Sequence, residues 1–128
     1  MTDQSKARSI LAELQRRTDA RRLDDLVAFF TDDALLIATT VHSRGPAAIR
    51  GYLASLLAVP GRILWDYDDV VVYHRGPGEL GIAGFGAVVL TDGDEVTRVP
   101  FRLTVLAVET DDGWQLRMFH GSVPEAAA

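Results

Sequence analysis

Cysteine and asparagine are absent from this 128-residue chain, and lysine occurs once against twelve arginines. Without cysteine there is no disulfide, no thiol nucleophile and no cysteine-ligated zinc. Acidic side chains outnumber basic ones 18 to 13, for a net charge of -5, and the cations are scattered along the chain. That excludes the clustered basic surface on which nucleic-acid binding depends. No apolar run approaches the roughly 20 residues that cross a bilayer, and Met1 to Lys6 carries no apolar signal core. No membrane role and a cytoplasmic location are therefore expected. The scarcity of lysine and asparagine fits the GC-rich genome of a bacterial source. His42, His74 and His120 lack the close spacing of a helical metal pair, and Gly81, Gly84 and Gly86 fall inside a strand pattern. Neither a metal nor a nucleotide cofactor is expected.

What is present is an ordinary globular composition, 48% hydrophobic and 24% charged, consistent with one domain over residues 1–128 and a single core. Its first half has helical spacing. Ala7, Ile10, Leu11 and Leu14 recur after a possible cap at Ser5, and Leu26, Val27, Phe29 and Phe30 follow one at Asp24. Leu35 to Thr40 reads as a short buried strand. Pro46 opens a third helix carrying Ile49, Tyr52, Leu53, Leu56 and Leu57, and Pro60-Gly61 closes it. The second half shifts to strand period. Arg62–Tyr73, Glu79–Thr91, Glu95–Glu109 and Trp114–Val123 are separated by turn sequences, which predicts an antiparallel meander. Strands this long must twist and bend. The fold class is therefore α+β: three N-terminal helices packed on a strongly curved, mostly antiparallel sheet, enclosing a cone-shaped cavity.

Strict alternation in the closing strand puts Trp114, Leu116, Met118, His120 and Ser122 on one face, delivering an imidazole and a hydroxyl to an apolar concavity. Two roles are open to His120: an acid, base or donor in the pocket, or a core histidine satisfied by a carbonyl. Ser122 reads as a polar neighbour, since the chain has no glycine-flanked serine elbow. Period two also pairs Trp65 with Tyr67 and Asp66 with Asp68 on opposite faces, so an aromatic wall and a carboxylate pair cannot both face a ligand. The aromatic wall is preferred. Arg102 either lies in the pocket or is a solvated or dimer-rim arginine, a choice that one residue of register decides. Phe85 and Tyr52 complete the candidate lining, with Tyr52 near the entrance. The apolar row Val99, Phe101, Leu103, Val105 and Ala107 predicts burial of a sheet face against a second subunit, hence a homodimer.

Three segments resemble the SnoaL-like branch of the nuclear-transport-factor-2-like superfamily. They are Leu23–Ala34, Arg44–Leu53, and Gly113-Trp114 through Phe119-His120-Gly121-Ser122-Val123-Pro124. The last is also similar to the closing strand of the calcium/calmodulin-dependent kinase II association domain. The resemblance implies the cone fold, and the histidine spacing and the missing phosphate loop leave cofactor-free chemistry as the expectation. The resemblance also implies acid–base chemistry of isomerisation, cyclisation or hydration, for which His120 and Asp66 are the candidate catalytic groups. Two classes follow: a protein of small-molecule, polyketide-like biosynthesis that binds a hydrophobic ligand, or a non-catalytic association or ligand-sensing module. Converging ionisable groups in a deep cavity favour catalysis, and a plugged cavity favours assembly.

Overall fold

The structure, a computed structural model, describes residues 2–124. Helix α1 (Asp3–Ala20) starts three residues earlier than a Ser5 cap implies, because the Thr2 hydroxyl accepts the Ser5 N–H at 3.0 Å. Ala7, Ile10, Leu11, Leu14 and Thr18 form its single buried stripe. The helix stops at Arg21, which adopts the left-handed conformation at φ 55°. Its guanidinium donates to the carbonyls of Gly61 at 2.8 Å, Val59 at 3.2 Å and Leu57. That cap ties the end of α1 to the loop after α3 (Gly45–Leu57), whose first turn holds Pro46 as the sequence predicts.

Between them, α2 (Leu23–Val27) is shorter than its apolar spacing suggests, and strand β1 (Phe30–Ile37) begins well before Leu35. The cause is tertiary. The Leu116 N–H donates to the Phe29 carbonyl at 2.7 Å and Phe30 pairs with Leu116, so the closing strand draws this segment out of helix. A short strand β2 (His42–Arg44), not evident in the sequence, pairs with β1.

Strands β3 (Arg62–Gly76), β4 (Glu79–Asp92), β5 (Glu95–Thr110) and β6 (Gly113–Ser122) form the expected meander. The six-stranded sheet has the order β2-β1-β6-β5-β4-β3, antiparallel throughout except for β1 and β6. Its concave face carries Leu80 and Ile82 of β4, Leu103, Val105 and Ala107 of β5, and Leu116 and Phe119 of β6, all buried in one core with α1. Leu103, Val105 and Ala107 of the apolar row are thus buried within the chain itself, while Val99 and Phe101 are half-buried. Helix α1 lies beside the edge strand β3. The Gln15 amide donates to the Ile63 carbonyl at 2.8 Å and accepts the Trp65 N–H at 3.0 Å, while Gln4 donates to the Val70 carbonyl at 3.0 Å. These side chains occupy backbone groups that an open edge would expose.

Strict alternation fails in β6. Leu106 pairs with Met118 and Ala107 with Leu116, which leaves Arg117 as an extra, bulged residue. The β1–β6 pairing jumps at the same level, from Phe30–Leu116 to Leu35–Met118. Arg117 extends outward to Asp33 at 3.5 Å. Beyond the bulge the faces exchange: Leu116 and Phe119 are buried inside, whereas Met118 and His120 turn to the convex side.

Candidate functional site

A cavity of about 250 Å³ opens between the C-terminal half of α1, α3 and the curved ends of β3 to β6. Its buried floor is built by Leu14 and Thr18 of α1, Leu26, Phe30, Leu36, Leu53, Ile63, Trp65 and Phe119. Its rim is built by the more exposed Leu56, Val59, Leu90, Val99 and Val123. Two features keep the space open. The Arg21 cap holds the loop bearing Val59, and the absence of a side chain at Gly121 lets Phe101 cross β6, where a Cβ would lie 2.5 Å from the Phe101 ring.

Of the residues singled out by sequence, Trp65 and Tyr52 line this cavity. Tyr67 shares the inner face with Trp65, but its ring covers Gly84 and borders a separate groove with Leu11 and Gln15. Trp114 of β6 borders a separate groove beside α1, with Ile10 and Phe29. His120 does not reach the cavity: its ring is exposed on the convex face, paired in register with Thr104 and Ile37, because the Arg117 bulge reverses the period. Met118 and Ser122 follow it to that side. Arg102 pairs with Phe85 on the convex face, both exposed, which takes it out of the cavity and leaves the solvated or dimer-rim role. Asp66 also points outward, where its carboxylate accepts from Arg98 at 2.7 Å. Val88 and Leu90 of β4, which the sequence reading passed over, and Val99 and Phe101 of β5, which it gave to a subunit contact, supply much of the wall. Period two alone could have found them once the apolar row was assigned inward.

The polar groups on the lining are few. Thr18 donates its hydroxyl to the Leu14 carbonyl at 2.8 Å and so turns back onto its own helix. Burial raises the pKa of Tyr52 above the ordinary tyrosine value, so its phenol stays protonated near neutrality. The Trp65 indole nitrogen is buried and has no hydrogen-bond partner among the described residues. No Asp, Glu, His, Lys or Arg is among the lining residues. Such a surface can desolvate and orient a neutral molecule; among the described lining residues the only group able to exchange a proton is the Tyr52 phenol.

Helices closing the concave face of a curved six-stranded sheet over an apolar cone define the nuclear-transport-factor-2-like fold. Solved structures with this fold superpose closely. A protein from Streptomyces avermitilis described as a dehydratase of that family matches with a TM-score of 0.81 at 15% identity, over 98% of this chain and 100% of its own. One from Novosphingobium aromaticivorans described as an aromatic ring hydroxylase matches at 0.79 and 14%, over 94% and 88%. A calcium/calmodulin-dependent protein kinase II association domain assigned in Xanthomonas campestris matches at 0.79 and 16%, over 95% and 88%. At such identities the likeness is one of fold. The model of the SnoaL-like domain matches residues 8–126, and the chain belongs to that family. No curated protein matches it in sequence.

Proposed function

We propose that this chain is a small-molecule-binding protein of the SnoaL-like family whose cavity takes a neutral, predominantly apolar organic molecule of one or two rings. The observation that carries this reading is the lining: a space walled almost wholly by aliphatic and aromatic side chains, with no charged group among the described lining residues. Its volume lies just below the range of about 300–1,000 Å³ common for ligand pockets. A charged ligand entering it would lose its hydration without a counter-charge, which is strongly unfavourable. The same lining favours binding over the acid–base chemistry that His120 and Asp66 would supply, since both side chains stand on the far face of the sheet.

The test is thermal unfolding and tryptophan emission with naphthalene and 2-naphthoate as matched probes. Naphthalene should raise the melting temperature and change the emission, and naphthoate should do neither. Equal stabilisation by both, or by neither, would remove the reading. Pairing of two copies through the sheet remains part of the proposal, on the convex face, where Phe85 is 42% exposed on the same side as the half-buried Leu106 and Met118. A stable monomer in sedimentation at micromolar concentration would remove that part alone.

A further inference from the structure

The convex face of the sheet sorts its charges by strand. On β3 the outward residues Leu64, Asp66, Asp69 and Val71 include two acids and no base. Opposite them on β4 stand Val89, Ala87, Phe85 and Ala83, all uncharged. Beyond these, their partners on β5 are Arg98, Pro100, Arg102 and Thr104, two bases and no acid. An acidic, a neutral and a basic strand thus lie side by side. Arg98 reaches Asp66 at 2.7 Å within the chain, past the small side chain of Ala87. Asp69 and Arg102 differ: they belong to one cross-strand row with the exposed Phe85 ring between them. Both are exposed, and neither has an ion-pair partner among the described residues. Adjacent strands are about 4.8 Å apart, so the two charges flank Phe85 at equal distances.

Resting on the pairing of two copies proposed above, we infer that the second copy docks along β4 about a two-fold axis at Phe85, with Asp69 of each copy paired to Arg102 of the other. In a two-fold interface each residue on the axis meets its own copy, so a charge there would face a like charge. The outward row of β4 has none. An axis along β4 lays the acidic strand of one copy over the basic strand of the other, twice by symmetry. An axis across the strands would instead set Asp69 against Asp69 and Arg102 against Arg102, which costs affinity. Face-to-face sheets stand about 10 Å apart, a gap that an arginine and an aspartate side chain together span. The pattern is its own complement, and a second copy of this chain is the partner that matches it.

Sedimentation over a range of concentrations tests this with Asp69→Arg and Arg102→Asp. Each substitution turns both ion pairs into like-charge contacts, so each variant alone should dimerise at least about tenfold more weakly than wild type. Mixed in equal amounts, the two variants should recover the wild-type affinity as a heterodimer, because both cross pairs are then opposite in sign. The double variant should recover it as well. Ala83→Cys gives a reading that does not depend on charge. Residue 83 lies on the axis and the chain has no cysteine of its own, so a bismaleimide spanning the gap of about 10 Å should join two copies there. It should not join them through Ser9→Cys on α1. If the charge variants do not fold, the cross-link decides the question. A dimer indifferent to both single variants, no recovery on mixing, or no cross-link through residue 83 would overturn the inference and leave the pairing of copies standing. A wild-type monomer would overturn the pairing, and the inference with it.

Discussion

Filling the cavity separates a binding site from an accident of packing. Val88 lines it at mid-height, opposite Trp65 on β3 and Val99 on β5. Val88→Phe adds roughly 50 Å³ of side chain to a space of about 250 Å³, and at about 24 cal/mol per Å³ of void this recovers about 1 kcal/mol. For a chain of this length, with an unfolding entropy of about 2.1 cal/mol/K per residue, that is a rise in melting temperature of about 4 °C. Binding of naphthalene should fall at least tenfold, because the ring occupies the volume the ligand needs. Val89→Phe is the control: one residue on, it pairs with Arg98 and belongs to the convex face, so it should leave binding unchanged. Scanning calorimetry and fluorescence titration measure both quantities. If Val88→Phe lowers stability by more than about 1 kcal/mol, as overpacking of a filled core does, and naphthalene affinity is unaltered, the open cavity and its function are both refuted.

Three further outcomes follow from the geometry. His120→Gln and His120→Ala should change naphthalene affinity less than twofold and stability by no more than about 0.5 kcal/mol, as surface substitutions do; loss of binding in calorimetric titration would return His120 to the site. Gly121→Ala puts a methyl 2.5 Å from the Phe101 ring and 3.1 Å from Phe119. It should destabilise by about 1–3 kcal/mol in urea denaturation and weaken binding, as the displaced ring enters the cavity; an unchanged midpoint would contradict the packing described. Hydrogen bonding to Arg16, aided by Arg17, lowers the Glu13 pKa from 4.5 to about 2. A depressed carboxylate stabilises the folded state above its unfolded pKa and loses that contribution as pH falls from about 4.5 towards 2. Glu13 is 32% exposed, so solvent screening limits the effect to about 1 kcal/mol or less. Glu13→Gln should therefore be less stable than wild type at pH 7 and equal to it near pH 2, and a difference independent of pH would contradict the ion pair.

Local pattern was sufficient for much of this molecule. The buried stripe of α1, the Pro46-led third helix and the four-strand meander follow from periodicities of 3.6 and 2 that depend only on neighbouring residues. The absence of cysteine settled the disulfide question from composition alone. The preference for Trp65 and Tyr67 over Asp66 as the inward set was equally legible, because no bulge intervenes between residues 65 and 67. What the sequence could not reveal is the pairing of strands distant in the chain. Phe29 and Phe30 have helical spacing, yet β6 holds the Phe29 carbonyl and pairs Phe30 into β1 through backbone bonds that no side-chain pattern encodes. One extra residue, Arg117, is accommodated where β6 meets both β1 and β5, and it inverts every side chain beyond it. Phe119 thereby enters the cavity and His120 leaves it. Composition and period determined that an apolar cone would form; the register of the last strand, a tertiary property, decided which residues look into it.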